Sequence, residues 1–350
     1  MIDWVTCQIP FVHPYIAAGK TLHLDHDDVL QKAIPRRRPV QGTHSSTFTV
    51  RSCGAAGDGL ASYLSLSGNP SKFLQGHNVF GSDDILSLIV DVLRVLDQSL
   101  SLGIDAWTYR AVENGEYDLS TVDINYSYEL PCQTDVQTFI RELEMKTRSR
   151  CGRPSTVGGT VYWQKNSRRW AMKCYSKWQE LFGTKDHQLP LALQCTPLHA
   201  WTENKLRIEL RLKSLELHDL VMTRAKDFAG HVRSLFAAYQ GKLSMPTQLQ
   251  LFDKDLHDVP PRLMLTYHAW KAGHNVMQMM SKATFYRHRK QLMEHGIDIS
   301  IAMDRSESSN VIPFIRVLEA KPASIPEWAF EQGLVHHSAK EVRYGNSSGR

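Results

Sequence analysis

The sequence predicts an α+β protein, in which a central antiparallel sheet with flanking helices is joined to a small, mainly helical C-terminal part. Two observations predict it. Segments that alternate apolar and polar residues with a period of two recur over the first two thirds of the chain, separated by stretches of helical apolar period. Beyond a proline-bearing stretch near residue 260 the alternation gives way to helical spacing.

The elements follow in order. The first ten residues alternate as a strand that stops at Pro10, and Ser46 to Ser52 with Ala61 to Ser67 form a second strand pair. GNPSKFLQGHNVFGSDD follows as a loop rich in turn formers. Asp83 to Leu100 has a helical pattern opened by two acids, which suit the positive helix N-terminus. Leu119 to Leu130 (LSTVDINYSYEL) reads as a strand and Thr134 to Lys146 as a helix. Gly159 to Gln164, a KNSRR turn and Trp170 to Trp178 make a hairpin. Leu206 to Leu212 alternates again, and Leu215 to Tyr239 is mainly helical. Residues 1–243 are thus expected to form one domain and 244–260 a linker. Arg262 to Ala272 is a helix ended by Gly273, and Ser281 caps a second helix running to His295. The pair reads as a helix-turn-helix-like DNA-binding part over 261–335, with 336–350 as a tail.

Composition narrows the function. The 350 residues are 42% hydrophobic and 22% charged, with no apolar run near the roughly 18 residues that span a bilayer. MIDWVTCQIP lacks the basic region of a signal peptide, and the six cysteines form no CxxC pair. Together these predict a reducing cytoplasm, no membrane association and no structural zinc. Net charge is only +5, but Lys146 to Trp178 holds nine Lys/Arg and no acid over 33 residues. Positive charge segregated in this way is the footprint of a nucleic-acid partner.

The strands carry the chemistry. Alternation puts Thr121, Asp123 and Asn125 on one face of their strand, opposite Val122, Ile124 and Tyr126. It sets Lys205, Arg207, Glu209, Arg211 and Lys213 opposite Leu206, Ile208, Leu210 and Leu212. It sets Lys173, Tyr175 and Lys177 opposite Trp170, Met172 and Cys174. If the apolar faces share one core, the opposite faces display Asp123, Tyr175 and Glu209 among lysines and arginines. Such a surface suits phosphodiester cleavage. Carboxylates hold a hard divalent cation, Mg²⁺ or Mn²⁺. A tyrosine hydroxyl can attack phosphorus, and Lys173 and Lys177 would favour the phenolate and hold the phosphate. The bland alternatives are cross-strand ion pairs and a tyrosine present as a good sheet former.

At this point the residues resemble the replication initiators of filamentous bacteriophages, the site-specific nickases that start rolling-circle replication. The resemblance is carried by SKFLQGHNVFG (Ser71 to Gly81), STVDINYS (Ser120 to Ser127) and TVYWQKNSRRWAMKCYSKWQEL (Thr160 to Leu181). LRIELRLK (Leu206 to Lys213), NVIPFIRVLEA (Asn310 to Ala320) and the MIDW opening extend it. It implies a rolling-circle nickase-like sheet, Tyr175 as nucleophile, and a metal held by Asp123, Glu209 and a histidine, for which His77 is the candidate. The chain lacks the His-hydrophobic-His triplet that many such nickases carry.

The implied partner is phage origin DNA, double- and single-stranded, in the bacterial host cytoplasm, with room for an oligomer on the DNA. Arg168, Arg169, Arg207 and Arg211 would hold it on the sheet, and Lys282, Arg287, Arg289 and Lys290 on the second C-terminal helix. Phe285 and Leu292 fall at core spacing on that helix. No GxxxxGK[ST] is present, so strand separation falls to supercoiling or a host helicase. Two alternatives remain: a non-catalytic helix-turn-helix regulator, which leaves the carboxylates and tyrosine unexplained, and a tyrosine recombinase, which the strands disfavour.

Overall fold

The computed structural model describes the chain except residues 56, 148–151, 184–186, 244–247, 252–259, 272, 295–296, 301–315 and 338–350. The linker expected over 244–260 thus lies largely outside the described residues. The main sheet has ten strands, antiparallel at each described pairing. Its order is Arg38–Gln41, Thr47–Ala55, Leu60–Gly68, Ile2–Pro14, Asp118–Glu129, Lys205–Lys213, Trp170–Ser176, Thr160–Trp163 and Ser155–Val157. The tenth strand, Lys321–Pro322, pairs with Tyr128 and Glu129.

The alternating segments are therefore strands, as expected, and the three that carry the candidate residues are neighbours. Two ends differ from the expectation. The first strand runs through Pro10 to Pro14, with a register shift between Pro10 and His13 that accommodates the missing N–H. The tyrosine strand ends at Ser176, and Lys177 opens the helix Lys177–Gly183.

The apolar faces share a core. Val122, Ile124, Leu206, Ile208, Leu210, Leu212, Met172 and Cys174 are buried, and the helix Gln133–Lys146 lays Val136, Phe139, Ile140 and Leu143 on them. Those four fall at the i, i+3, i+4, i+7 spacing that makes one helical face. The helix Val232–Lys242 packs Phe236 edge-on against Tyr126 and Tyr239 against Trp170, with ring centroids 4.8 and 5.0 Å apart. Asp84 caps the helix Ile85–Leu100 by accepting from the backbone of Leu86 and Ser87. Asp83 instead meets the Met1 amine at 2.8 Å. Gly76 ends the helix Pro70–Gln75 at φ 85°, where a Cβ would also strike the His44 ring.

The domain division departs from expectation. The chain separates into Met1–Gln248 with the return segment from Glu319, and a second unit, Leu249–Leu318. The second unit is thus an insert, and Gln248–Leu251 pairs with Arg316–Glu319 at its two ends. Inside it, helices Pro261–Lys271 and Lys282–Glu294 bury Leu263, Tyr267, Val276, Phe285, Leu292 and Ile299 together. The core roles expected for Phe285 and Leu292 hold. After Glu319 the chain rejoins the first unit. Ala329 and Leu334 enter a cluster with Val79, Phe80, Leu181, Leu189, Leu193 and Leu198, and Phe80 meets Trp201 and Trp328 edge-on.

Because the first unit is completed from both sides of the insert, internal deletion and truncation should differ. Replacing residues 249–318 by a short flexible linker should leave one cooperative thermal transition near that of the full chain. Ending the chain at Gln248 should cost about 3 kcal/mol or more, since losing a single buried leucine side chain already costs ~2–5 kcal/mol. Circular dichroism melting of both proteins checks this.

Candidate active site

Register assembles the site. Nine pairs join the aspartate and glutamate strands, from Thr121 opposite Lys213 to Glu129 opposite Lys205. Directly opposed residues share a sheet face, so Asp123, Asn125 and Ser127 stand with Arg211, Glu209 and Arg207. The tyrosine strand continues these rows with Ala171, Lys173 and Tyr175.

Glu209, 3% exposed, is at the centre. Its Oε1 meets Lys173 Nζ at 2.9 Å, and its Oε2 accepts from the Tyr175 hydroxyl at 3.3 Å. Burial pushes its carboxyl up to about 8, with the Asp3 and Asp123 charges adding to the effect and Lys173 opposing it. Asp123 is held by the fork of Arg211, whose Nε lies 2.8 Å from Oδ1. Tyr175 is itself buried, and burial, followed by the charges of Glu180 and Glu209, lifts its hydroxyl well above the usual range. The lysines therefore do not favour a resting phenolate as the sequence suggested. Each is paired with a carboxylate, and the phenol is neutral with its proton directed at Glu209.

Lys177 is also displaced from its expected place. As the first residue of a helix it is buried, with Nζ on Asn78 Oδ1 at 2.9 Å and on Glu180. Burial lowers its pKa, and Glu180 opposes the shift.

His77 does not join Asp123 and Glu209. Its Nε2 is 2.8 Å from the Leu334 carbonyl, and its Nδ1 accepts from Val79 N at 3.2 Å. Burial lowers its pKa to about 4, so the imidazole is neutral and donates from Nε2. It pins the loop after Gly76 to the return segment. Among the described residues the one His/acid group with ligand atoms within 4.8 Å is Asp25, His26 and Asp27, on an exposed hairpin tip.

The arginines divide. Arg207 is fully buried; its fork donates to the carbonyls of Asn78 (2.6 Å) and Val79 (2.7 Å) and to Ser127 Oγ. It is a structural cation, because its guanidinium is committed to these carbonyls and to Ser127. Arg169 pairs with Glu216 and Asp219. Arg168 and Arg211 line an open groove of about 460 Å³ with Ser120, Thr121, Lys213, Ser214 and Leu215. In the insert, Arg289 grips Asp298 through two contacts of 2.8 Å, whereas Lys282, Arg287 and Lys290 are exposed. Arg289 is thus engaged within its own unit.

Sequence reasoning missed three members of the site. Asn78 bridges Lys177 and Asp3, donating to Asp3 Oδ1 at 3.0 Å. Glu180 faces Lys177 one helical turn along. Asp3 had no legible signal: strict alternation sends it to the side of Val5, and only a register shift between Ile2 and Trp4 re-aims it.

The two kinds of arginine should separate by experiment. Arg207→Ala strands two buried carbonyls and a hydroxyl, at ~1–3 kcal/mol each, so it should lower thermal stability sharply. Arg168→Ala should change stability by under ~0.5 kcal/mol yet weaken single-stranded DNA binding and flatten its salt dependence. Melting curves and anisotropy titrations on both variants check this.

Two family models, described as the N-terminal and the C-terminal part of a phage replication-associated protein, match residues 1–231 and 251–335. The second model runs on to 335, past the point at Glu319 where packing returns the chain to the first unit. The replication-associated protein of Enterobacteria phage I2-2 is 43% identical over 328 residues, covering 93% of this chain and 95% of that protein. No solved structure matches. Matched over most of its length by both models and by this relative, the chain belongs to this family of phage replication-associated proteins.

Proposed function

We propose that the protein is a site-specific single-strand DNA endonuclease that nicks phage origin DNA in the host cytoplasm through a covalent 5′-phosphotyrosine. It later reseals the strand, so that one site both initiates and terminates rolling-circle replication. The observation that carries the reading is the Tyr175 hydroxyl, on a sheet face with carboxylates and hydrogen-bonded to Glu209 Oε2 at 3.3 Å.

The steps balance. Tyr175 Oη forms a bond to the scissile phosphorus while the P–O3′ bond breaks. The phenolic proton passes to Glu209 Oε2, and the departing 3′ oxygen takes up a proton to leave a free hydroxyl. Resealing is the reverse, with a 3′ hydroxyl attacking the phosphotyrosine. The bond energy is kept in the protein–DNA link, so no nucleotide is consumed.

A divalent cation belongs to this reading, and the residues fit it in part. Asp123 and Glu209 offer hard oxygen donors on one sheet face. His77 does not fit, because the backbone occupies both its nitrogens. Bound at the carboxylates, Mg²⁺ or Mn²⁺ would polarise a phosphoryl oxygen and stabilise charge developing on it.

The DNA would lie along the polar face through the Arg168 and Arg211 groove, while the insert supplies origin affinity through Lys282, Arg287 and Lys290. No described helix is long and apolar enough to cross a membrane. Strand separation is left to supercoiling or a host helicase.

Two measurements test this. On supercoiled origin plasmid with Mg²⁺, the wild type should give open circles carrying protein at the 5′ end. Tyr175→Phe should give none while binding the origin as before; a surviving adduct would overturn the assignment. Replacing Lys282, Arg287 and Lys290 with alanine should reduce the slope of log K against log salt by about 2–3, at ~0.9 per phosphate contact. Cleavage of a short single-stranded oligonucleotide should persist in that variant.

A further inference from the structure

We propose that Arg37, Arg51 and Tyr63 form a single-strand DNA site on the open half of the main sheet, where the two guanidiniums hold one backbone phosphate and an unpaired base stacks on the Tyr63 ring. The choice of ligand rests on the nickase reading; the residues come from the geometry. The basic run Arg36 to Arg38 has no part in the active site. Arg37 reaches from it onto the sheet, donating to the Ser65 hydroxyl at 3.2 Å and the Ser65 carbonyl at 3.5 Å. Arg51 stands directly opposite Ser65 on the next strand, so it shares that serine's face. The two cations are near enough that Arg51, after burial, lowers the Arg37 pKa. Both are half-buried, and neither takes part in an ion pair among the described residues. Arg51 Nε is buried without a hydrogen-bond partner. Arg169, Arg211 and Arg289, by contrast, each hold a carboxylate. Buried N–H donors are nearly always satisfied, and adjacent like charges repel, so this pair is built for an anion from outside. A phosphodiester, with two free oxygens, matches the guanidinium fork.

The surroundings select a single strand. Along the first strand Trp4, Thr6, Gln8 and Pro10 alternate outward while Val5, Cys7 and Ile9 are buried, so this half of the face is open. Tyr63 lies one row beyond Ser65, opposite Pro10 and Cys53, and is 39% exposed. A Cβ on Gly54 would come within 3.1 Å of its ring, so the glycine backs one side of the ring and the other is left for a base. A duplex keeps its base faces stacked inside and has none to offer. The face is continuous with the groove beside the active site, because Thr6 is directly opposite Thr121, which lines that groove with Arg168 and Arg211. Arg51 stands five strands from the tyrosine strand, about 24 Å across the sheet at ~4.8 Å per strand. The phosphate it holds is therefore not the scissile one but another on the same DNA strand, several nucleotides away.

The test is binding of fluorescein-labelled oligo(dT) by the full-length protein, read by anisotropy over a salt series beside a duplex of the same length. Arg37→Gln combined with Arg51→Gln should weaken oligo(dT) binding about fivefold or more and reduce the slope of log K against log salt by about 0.7, the value for one phosphate of a single strand. Tyr63→Leu should weaken it about fivefold or more at an unchanged slope, and Tyr63→Phe, which keeps the ring, should bind as the wild type does. Neither tyrosine variant should alter duplex binding. Melting curves establish that each variant is folded; if the double arginine variant is not, the two single substitutions carry the same comparison. Wild-type affinity and slope in the folded arginine variant, or wild-type affinity in Tyr63→Leu, overturns the site. Equal losses of duplex and oligo(dT) binding in the arginine variant, with Tyr63→Leu harmless, identify a duplex contact and overturn it too. The two readings fail separately. Binding that depends on Arg37, Arg51 and Tyr63 in a protein that forms no covalent DNA adduct would sink the nickase reading alone. Adduct formation with oligo(dT) binding indifferent to all three would sink the site alone.

Discussion

The register between the aspartate and glutamate strands is the constraint on which the rest depends. Side chains alternate with a period of two, so a slip of one residue would send Val122, Ile124 and Tyr126 to the polar face and Asp123, Asn125 and Ser127 into the core. Nine consecutive pairs and an apolar core on one side forbid that slip. The same register stacks Arg207 with Tyr175 and Glu209 with Lys173. Glu209 and Asp123 thus acquire Lys173 and Arg211 as partners without a loop having to place them. Arg207 extends the constraint outward, because its grip on the Asn78 and Val79 carbonyls fixes the loop that delivers Asn78 to Asp3 and Lys177.

What the sequence made legible follows from what periodicity encodes. Strand faces depend on neighbouring residues only, so the shared face of Asp123, Tyr175 and Glu209 could be read, and strand adjacency followed from a common core. Whether a polar face is solvated cannot be read this way. The expectation of lysines around an exposed phenol failed because this polar face is covered by the Asn69 to Phe80 region and by the helix after Ser176. Burial then outweighs charge, and Lys177 becomes a buried partner of Glu180 rather than a phosphate ligand. Arg207 and Arg289 looked like DNA contacts for the same reason: sequence shows a cation but not its distant acceptor. Asp3 was illegible because a bulge breaks the alternation on which the reading relied, and His77 because Leu334 lies 257 positions away.

The insert explains another misreading. Helical periodicity after residue 260 marks a change of architecture, and nothing local marks the return at Glu319. That return depends on packing, since Ala329 and Leu334 complete a cluster begun by Val79 and Phe80. A short apolar helix such as Glu327–Glu331 has the same sequence signature whether it ends one unit or closes another. Of the candidate cations, Arg168 on the groove and Lys282, Arg287 and Lys290 on the insert keep exposed side chains, and Arg211 is exposed at the groove while its fork holds Asp123.

Charge balance ties the proposed chemistry to the buried setting. Around Tyr175 stand the carboxylates of Asp3, Asp123, Glu180 and Glu209 and the cations of Lys173, Lys177, Arg207 and Arg211. In a low-dielectric site, opposed charges in equal number neutralise one another at close range, and a surplus of either sign is expensive. A scissile phosphodiester adds a negative charge to this set, and attack by an oxygen concentrates charge on the phosphoryl group. The resident cations are already committed to carboxylates or carbonyls. In the proposed reaction that surplus would be met by a cation brought in with the substrate, which ties the proposed metal to the buried charge balance.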